Sequence, residues 1–486
     1  MLSPPVAATA LEVAAPIPLV VDLDGTLIHT DLLHESAVAL FRAAPLRALL
    51  IPFWLRRGKA ALKQQLAQHT RIDASLLPYN QELLAWLRQQ REAGRSLILC
   101  TATDLKLAQA VASDCALFDE VMASDGALNL DGRNKADALV KRFGKGGFDY
   151  VGNSHVDLAV WQQARRAVVV NPGPTLASRA GTCCEVVKVF ESPARGLSTW
   201  GRALRVHHWL KNALVLVPLF AAHQLADASL DLLWAFIAFS LCASSVYLVN
   251  DLMDLENDRQ HPRKRSRPFA SSALPLWTGV VLAPVLALGG FLFASLLGTV
   301  FVYWLGVYFV LTWAYSMWLK RIVLLDCLAL ALLYTLRIVA GGEAARLAPS
   351  FWLLAFSAFL FLSLSFVKRY AELMVHQTAG NDQLKGRGYC TSDAPVILAL
   401  GVASGYTAVV VLALYLNSDA VLRLYRSPGL VWATVPILVY WLSWMWLRAA
   451  RGEMHDDPLV FAFKDRNSLA AGALFAASLL FGSTGS

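Results

Sequence analysis

The chain is short of the residues that would staple or repeat a fold. It has seven cysteines in 486 residues, at 100, 115, 183, 184, 242, 327 and 390. None is part of a CxxC pair, so neither a disulfide framework nor a zinc knuckle is expected. There is no internal repeat and no low-complexity tract, which excludes solenoid and fibrous architectures. Met1 to Pro16 has no basic start and no sustained apolar core, so no secretory leader is expected there. What the chain has in quantity is apolar residues, 56% of the total, with a mean hydropathy of +0.48. They are unevenly spread: residues 1 to about 200 read as a soluble α/β unit, and long apolar runs dominate the remainder.

Nine helical spans are expected, near 209–226, 232–250, 275–297, 299–318, 322–341, 351–367, 394–417, 430–448 and 467–484, most close to the ~20 residues that cross a bilayer. The loops 251–274, 319–321, 368–393 and 448–466 carry 15 Lys and Arg, and the loops on the opposite side carry 3. By the positive-inside rule the basic side is cytoplasmic, which puts the N-terminal unit in the cytoplasm of an inner-membrane protein. The sequence thus predicts two domains. Residues 1–200 form an α/β Rossmann-like domain with a small helical cap over about 27–95. Residues 201–486 form an all-α membrane domain of about nine transmembrane helices.

The most telling stretch lies where an apolar run ends at Val249: Asn250-Asp251-Leu252-Met253-Asp254-Leu255-Glu256-Asn257-Asp258. Asp251, Asp254 and Asp258 are spaced i, i+3, i+7 and share one face if the helix continues. Carboxylates are costly at the mouth of a membrane helix unless paired or metal-bound. Clustered hard oxygens suit Mg²⁺ held together with a substrate phosphate. The basic tail Arg263-Lys264-Arg265-Ser266-Arg267 follows and continues the phosphate theme. The bland alternative is a solvated polar turn capping the helix. The motif resembles the NDxxDxxxD signature of the UbiA superfamily of intramembrane prenyltransferases, and the resemblance runs from Arg205 to the C-terminus. It implies that Asp251, Asp254 and Asp258, assisted by Asn250, hold a diphosphate through Mg²⁺.

A second motif set occupies the N-terminal domain. Ile17 to Val21 reads as a short strand that delivers Asp22-Leu23-Asp24-Gly25-Thr26 into a turn. Ser96–Cys100 reads as a second strand ending at Thr101. Lys135 follows, and Asp149–Val151 reads as a strand ending in Gly152-Asn153-Ser154-His155-Val156-Asp157. This order resembles motifs I to IV of the haloacid dehalogenase (HAD) superfamily. The resemblance implies that Asp22 is a nucleophile that forms an aspartyl-phosphate and Asp24 a general acid and base. Thr101 and Lys135 would hold the phosphoryl oxygens, with Mg²⁺ on Asp22, Asp24, Asn153 and Asp157. Asn153 departs from the family's aspartate and removes one negative charge from the metal site. Within the cap, Ala48 to Arg57 pairs apolar and aromatic residues with adjacent bases, as an interfacial helix or a packing helix would.

Aromatic prenyltransferases of the UbiA type carry a second Asp-rich motif after the sixth span. Here that position reads Lys368-Arg369-Tyr370-Ala371-Glu372-Leu373, with cations in place of a second carboxylate clamp. This segment resembles the polyprenyl-phosphate phosphoribosyltransferases of the superfamily. So do Trp209-Leu210-Lys211-Asn212, the set Tyr315, Lys320, Asp326 and Arg337, and the tail Arg451 to Pro458. The resemblance implies phosphoribosyl diphosphate (PRPP) and a polyprenyl phosphate as substrates. Lys264 and Arg267 would contact the donor. Lys211, Lys320, Arg337, Lys368 and Arg369 would take the lipid phosphate or the ribose 5-phosphate. A fused phosphatase fits a product that carries a phosphate monoester; its removal would give polyprenyl-phosphoryl-ribose, a precursor of an arabinofuranose donor. Two other readings stand beside this one: an aromatic prenyltransferase with a HAD domain of separate purpose, and a lipid-binding scaffold with degenerate sites. No nucleic-acid partner is expected.

Overall fold

The computed structural model describes residues 17–484, apart from 126–127, 174, 192–195, 223–229, 349, 379, 381, 385–386, 419–424, 426 and 455–456. Met1 to Pro16, Gly386 and the His455-Asp456 pair of the tail motif lie outside the described residues. The chain divides into two compact units, Met1–Ala203 with Asp251–Val280, and Leu204–Asn250 with Val281–Ser486.

In the first unit a parallel sheet of six strands runs in the order β3-β2-β1-β4-β5-β6. The strands are β1 (Leu19–Val21), β2 (Leu97–Asp104), β3 (Glu120–Ser124), β4 (Asp149–Gly152), β5 (Arg166–Val170) and β6 (Glu185–Phe190). The apolar runs of β1, β2 and β5 follow from a sheet covered on both faces. Leu19 and Val21 enter one core with Leu97, Leu99 and Val151, while Val20 enters the other with Ile98, Phe148 and Trp161. The chain crosses from β1 to β2 on one side and reaches β4 on the other, so the loop after β1 sits at the point where the strand order reverses. Ligands of open α/β sheets bind at such a crevice.

The stretch expected to form a cap, between β1 and β2, is helical. It consists of α1 (Leu32–Ala43), α2 (Pro45–Ala48), α3 (Ile51–Arg56), α4 (Lys59–His69) and α5 (Gln81–Glu92). Asp31 caps α1 by accepting the amide of Leu33. The cap has its own small core of Leu40, Trp54, Leu62 and Leu66.

The second unit is helical. Among the described residues, seven helices of the chain are long and apolar enough to cross a membrane: Leu230–Met253, Leu276–Ser295, Thr299–Met317, Leu325–Ala344, Phe351–Thr378, Thr391–Leu416 and Gly429–Ala450. Two of the nine expected spans fall outside this group. The segment expected over 209–226 is a 3-10 stretch, Val206–Leu216, followed by a short helix, Val217–Ala221. Its polar side chains explain the interruption, since Lys211 and Asn212 turn inward to partners in the bundle. The last is a 19-residue helix, Arg466–Thr484. The Val206–Leu216 stretch packs so tightly on the Leu325–Ala344 helix that a Cβ at Gly341 would lie 2.1 Å from the Val215 carbonyl oxygen. The 28-residue Phe351–Thr378 helix is about 42 Å long. That exceeds the ~30 Å hydrocarbon layer, so a polar end from Lys368 onward is accommodated.

One charge cluster of the sheet yields a stability prediction. Asp149, at the start of β4, is buried and accepts hydrogen bonds from Arg165 at 2.9 and 2.7 Å, and from Arg95. Burial alone would raise its pKa; the two guanidiniums outweigh that and hold it below the ordinary value of 3.8. A depressed folded-state pKa stabilises above the unfolded value and loses that contribution as pH falls through the folded one. Asp149→Asn is expected to cost about 2 kcal/mol at pH 7, a buried-pair cost discounted because Arg165 is partly exposed. Thermal unfolding of wild type and variant should show the gap closing as pH is lowered through and below 3.8.

Candidate functional sites

The turn after β1 gathers most of the first motif set. Asp22 is buried, and its Oδ1 accepts from Lys135 Nζ at 2.6 Å. Asp24 Oδ1 accepts from the amide of Leu32, the first residue of α1, at 2.8 Å, and its Oδ2 accepts from Thr103 Oγ1 at 2.6 Å. Thr101 Oγ1 stands farther from the same oxygen, at 3.5 Å. Gly25, at φ +73°, lets the chain turn beneath Asn153, whose Nδ2 would lie 2.2 Å from any Cβ placed there. Burial pushes Asp22 up to about 6, against the lowering pull of Lys135. Burial also pushes Asp24 up to about 7, with Asp31 adding to the effect. Lys135 is held above the ordinary lysine value because Asp22 and Asp157 outweigh its desolvation, so it stays charged. The arrangement puts an anionic oxygen, a fixed cation and a carboxyl able to exchange a proton near neutrality in one crevice.

Asp157 stands one residue removed from this group. Its Oδ2 caps its own turn, accepting from the amides of Asn153 and Ser154, and its Oδ1 accepts from Tyr150 OH at 2.9 Å. Tyr150 OH in turn accepts from Lys135 Nζ at 2.9 Å, so Asp157 reaches the crevice through Tyr150 and Lys135. Two functional groups went unrecognised in the sequence, Thr103 and Tyr150. Thr103 follows Thr101 by two along β2 and so projects from the same face, a strand-periodicity signal that was available. Tyr150 carried no such signal.

At the Asp-rich motif the helix does not run on. It stops at Met253, and a short helix, Leu255–Gln260, begins after Asp254, which occupies the N-cap. The three carboxylates therefore do not lie along one uninterrupted helix face. Asp251 and Asp258 are nevertheless buried together, and both meet Nη1 of Arg267, at 3.1 and 2.7 Å. Burial raises the Asp258 pKa, with Arg267 opposing. Among the described residues no group of three or more Asp, Glu, His or Cys side chains is gathered closely enough to hold a metal ion. Two carboxylate oxygens thus converge on one cationic nitrogen. Arg259, next in the chain, makes a buried bidentate pair with Glu35 of α1, at 2.6 and 3.2 Å.

In the second unit the predicted cations separate into two kinds. Arg337 is buried, with its donors on Asn212 Oδ1 at 2.9 Å, Tyr308 OH at 2.8 Å and the Leu333 carbonyl. Arg369 is fully buried and paired with Asp326 and Glu372. Tyr389 OH donates to Asp326 at 2.5 Å, and Arg387 adds contacts to Asp326 and Glu372. These arginines tie helices together. By contrast Lys211 and Lys368 both reach Asp457 Oδ2, at 2.7 and 3.2 Å, with Tyr334 OH on the same carboxylate. Burial would raise the Asp457 pKa, but the two lysines outweigh it and hold the carboxyl far below the ordinary value. One anion between two ammonium groups leaves a local excess of positive charge. Lys320 Nζ lies 3.4 Å from Asn250 Oδ1, and Tyr315 OH is approached by Arg387 at 3.5 Å. Lys264 opens a 3-10 turn, Lys264–Ser266, in the loop after the Asp-rich motif.

A helical bundle with several membrane-spanning helices, joined to a doubly wound α/β unit, defines a multi-pass membrane protein that carries an α/β domain. Residues 213–468 match the UbiA prenyltransferase family, and the chain belongs to that family. Over 471 residues it is 38% identical to the uncharacterized protein y4nM of Sinorhizobium fredii, covering 96% of this chain and 90% of that one. Over 288 residues it is 38% identical to the nodulation protein NoeC of Azorhizobium caulinodans, covering 58% of this chain and 92% of that one. It is 37% identical over 185 residues to the decaprenyl-phosphate phosphoribosyltransferase of Mycolicibacterium smegmatis, covering 37% of this chain and 58% of that one. A solved UbiA homolog from Archaeoglobus fulgidus bound to GPP and Mg²⁺ aligns with 58% of this chain and 98% of its own at a TM-score of 0.45 and 14% identity.

The division of cations is testable. Arg369→Gln removes the buried cation that pairs with Asp326, leaving it Tyr389 OH and the longer Arg387 contact, and is expected to cost about 3 kcal/mol of stability. Lys368→Gln leaves Asp457 paired with Lys211 and should unfold close to wild type. Thermal unfolding in detergent measures both; equal losses would show that the two cations share one role.

Proposed function

We propose that the membrane domain, about residues 201–486, transfers 5-phosphoribose from PRPP to a polyprenyl phosphate, and that the N-terminal domain, about residues 1–200, then removes the 5-phosphate. The observation that carries this reading is the dilysine at Asp457. Where a second acidic clamp for a prenyl diphosphate would stand, Lys368 joins Lys211 on one carboxylate, a group that suits a phosphate monoester. The 37% identity over 185 residues to a decaprenyl-phosphate phosphoribosyltransferase supports the same reading.

In the transfer step Asp251, Asp254 and Asp258, with Asn250, would hold Mg²⁺, which when bound neutralises the departing diphosphate. Arg267 lies between two of these carboxylates and would exchange them for donor phosphate, with Lys264 beside it. The C1–O bond of PRPP breaks, diphosphate leaves with the bonding pair, and the prenyl phosphate oxygen attacks C1 from the opposite face with inversion. Lys211 and Lys368 hold the lipid phosphate or the ribose 5-phosphate, and Lys320 and Tyr315 line the polar end of the site. Arg337 and Arg369, expected to take the lipid phosphate or the ribose 5-phosphate, would also support the site through the packing they secure.

In the second step Asp22 attacks the phosphorus of the 5-phosphate, the ester P–O bond breaks, and Asp24 gives its proton to the ribose 5-oxygen. A pKa pushed up to about 7 suits a group that must be acid in this half and base toward water in the next. Lys135 and Thr101, joined by Thr103, hold the phosphoryl oxygens and Asp24. Asp22, Asp24, Asn153 and Asp157 would hold the domain's own Mg²⁺. The excess of Lys and Arg on the Asp-rich side supports a cytoplasmic location for both reactions.

A detergent assay with ribose-labelled PRPP, polyprenyl phosphate and Mg²⁺ tests the sequence of steps. Wild type is expected to give a ribosyl lipid. Asp22→Asn should stop at the phosphoribosyl lipid, and Asp251→Asn, or chelation of the metal, should give none. If label never enters lipid, and a prenyl diphosphate couples to an aromatic acid instead, phosphoribosyl transfer is excluded.

A further inference from the structure

The cap carries a surface that neither proposed reaction uses. From Ser36 to Ile72 there are five arginines and two lysines and no Asp or Glu. Within this stretch Leu46, Leu49, Leu50 and Phe53 follow the i, i+3, i+4, i+7 spacing of one helical face. Helices α2 and α3 are joined by Leu49 and Leu50, both with right-handed helical backbone angles, so the face runs on across the junction. The opposite side of α3 is anchored: Trp54 is buried against the cap core and meets His69 edge-on at 5.6 Å. The apolar stripe is therefore held outward by folding. Leu46 is 81% exposed, Leu49 69% and Phe53 60%. Arg47, Arg56, Arg57 and Lys59 are exposed around it, and the Arg56 guanidinium lies over the Phe53 ring at 5.7 Å.

We propose that this stripe is a membrane-interface anchor: the cap of the N-terminal domain inserts Leu46, Leu49, Leu50 and Phe53 among the acyl chains of an anionic leaflet, with the surrounding bases on lipid phosphates. Three observations select the lipid over other occupants. The apolar side chains form a narrow stripe rimmed by long cations whose stems reach a headgroup layer, the pattern of an in-plane helix. The stretch is cationic without exception, which matches anionic lipid and opposes pairing with a second copy of itself. The same chain carries apolar membrane-crossing helices, so a bilayer is always within its reach. The consequence is a cap that meets a lipid-borne substrate in the plane where its phosphate lies. This inference does not depend on either proposed reaction.

The full-length protein in nanodiscs tests it by photocrosslinking, with p-benzoylphenylalanine at Leu49, at Phe53 and, as a control, at Glu92 on the exposed side of α5. These positions are exposed, so the probe leaves the cores intact. Mass spectrometry of the products should show phospholipid adducts at 49 and 53 and none at 92. Yield should fall at least ~5-fold when phosphatidylglycerol is replaced by phosphatidylcholine, or in the variant Arg56→Gln with Arg57→Gln, with recovery in the Lys counterparts. Adducts to a second protein chain, or lipid adducts no more abundant at 53 than at 92, would overturn the proposal.

Discussion

A charge withdrawn from water must find an opposite charge close by, and this requirement organises both units. Asp22 with Lys135, Asp149 with two arginines, Asp326 with Arg369, and Asp457 with two lysines are all buried pairs or clusters. Breaking one of them costs several kcal/mol, because the partner left behind is stranded in a medium that solvates it poorly. Compensation also separates structure from chemistry. Where an arginine is paired with carboxylates, as Arg369 is with Asp326 and Glu372, its charge is already committed; Arg337 is held instead by the neutral oxygens of Asn212, Tyr308 and Leu333. Where one carboxylate holds two lysines, an anion can still be attracted.

The Asp-rich motif obeys the same rule with the signs reversed. Asp251 and Asp258 share one guanidinium, so a divalent cation entering there would displace Arg267, not fill a vacuum. The displaced arginine then becomes available to the phosphates that accompany the metal. The break at Asp254 sets this geometry: ending one helix and starting another turns Asp258 back toward Asp251. Glu35 and Arg259 add a second ion pair beside the motif, joining the helix that carries Asp258 to the cap helix whose first amide holds Asp24.

In the proposed scheme the N-terminal domain would consume the phosphorylated lipid that the membrane domain releases. Covalent linkage raises the effective concentration of the second site and shortens the path of a product that stays in the bilayer. A cap that rests on the leaflet would extend this economy, since such a substrate would not have to leave the membrane surface to be read.

Much of this was legible in the sequence. Hydrophobic runs located most of the spans, because a helix in lipid must be apolar along its whole length. The strand-then-carboxylate pattern located Asp22 and Asp24, because a parallel strand buried on both faces must be apolar until it opens into its loop. Composition marked Ala48 to Arg57 as an interfacial or a packing helix, but only the burial of Trp54 beside exposed Leu46, Leu49 and Phe53 showed which side faces outward. Spacing could not reveal which cations were already spent, since Asp457 lies 246 residues from Lys211 and 89 from Lys368. Nor could it reveal that the carboxylate helix breaks at Asp254, or that Tyr150 links Lys135 to Asp157. The sequence alone determined the kinds of charge and the elements that carry them. Only the tertiary structure decided which charges meet, because burial and pairing depend on distances in space that separation along the chain does not encode.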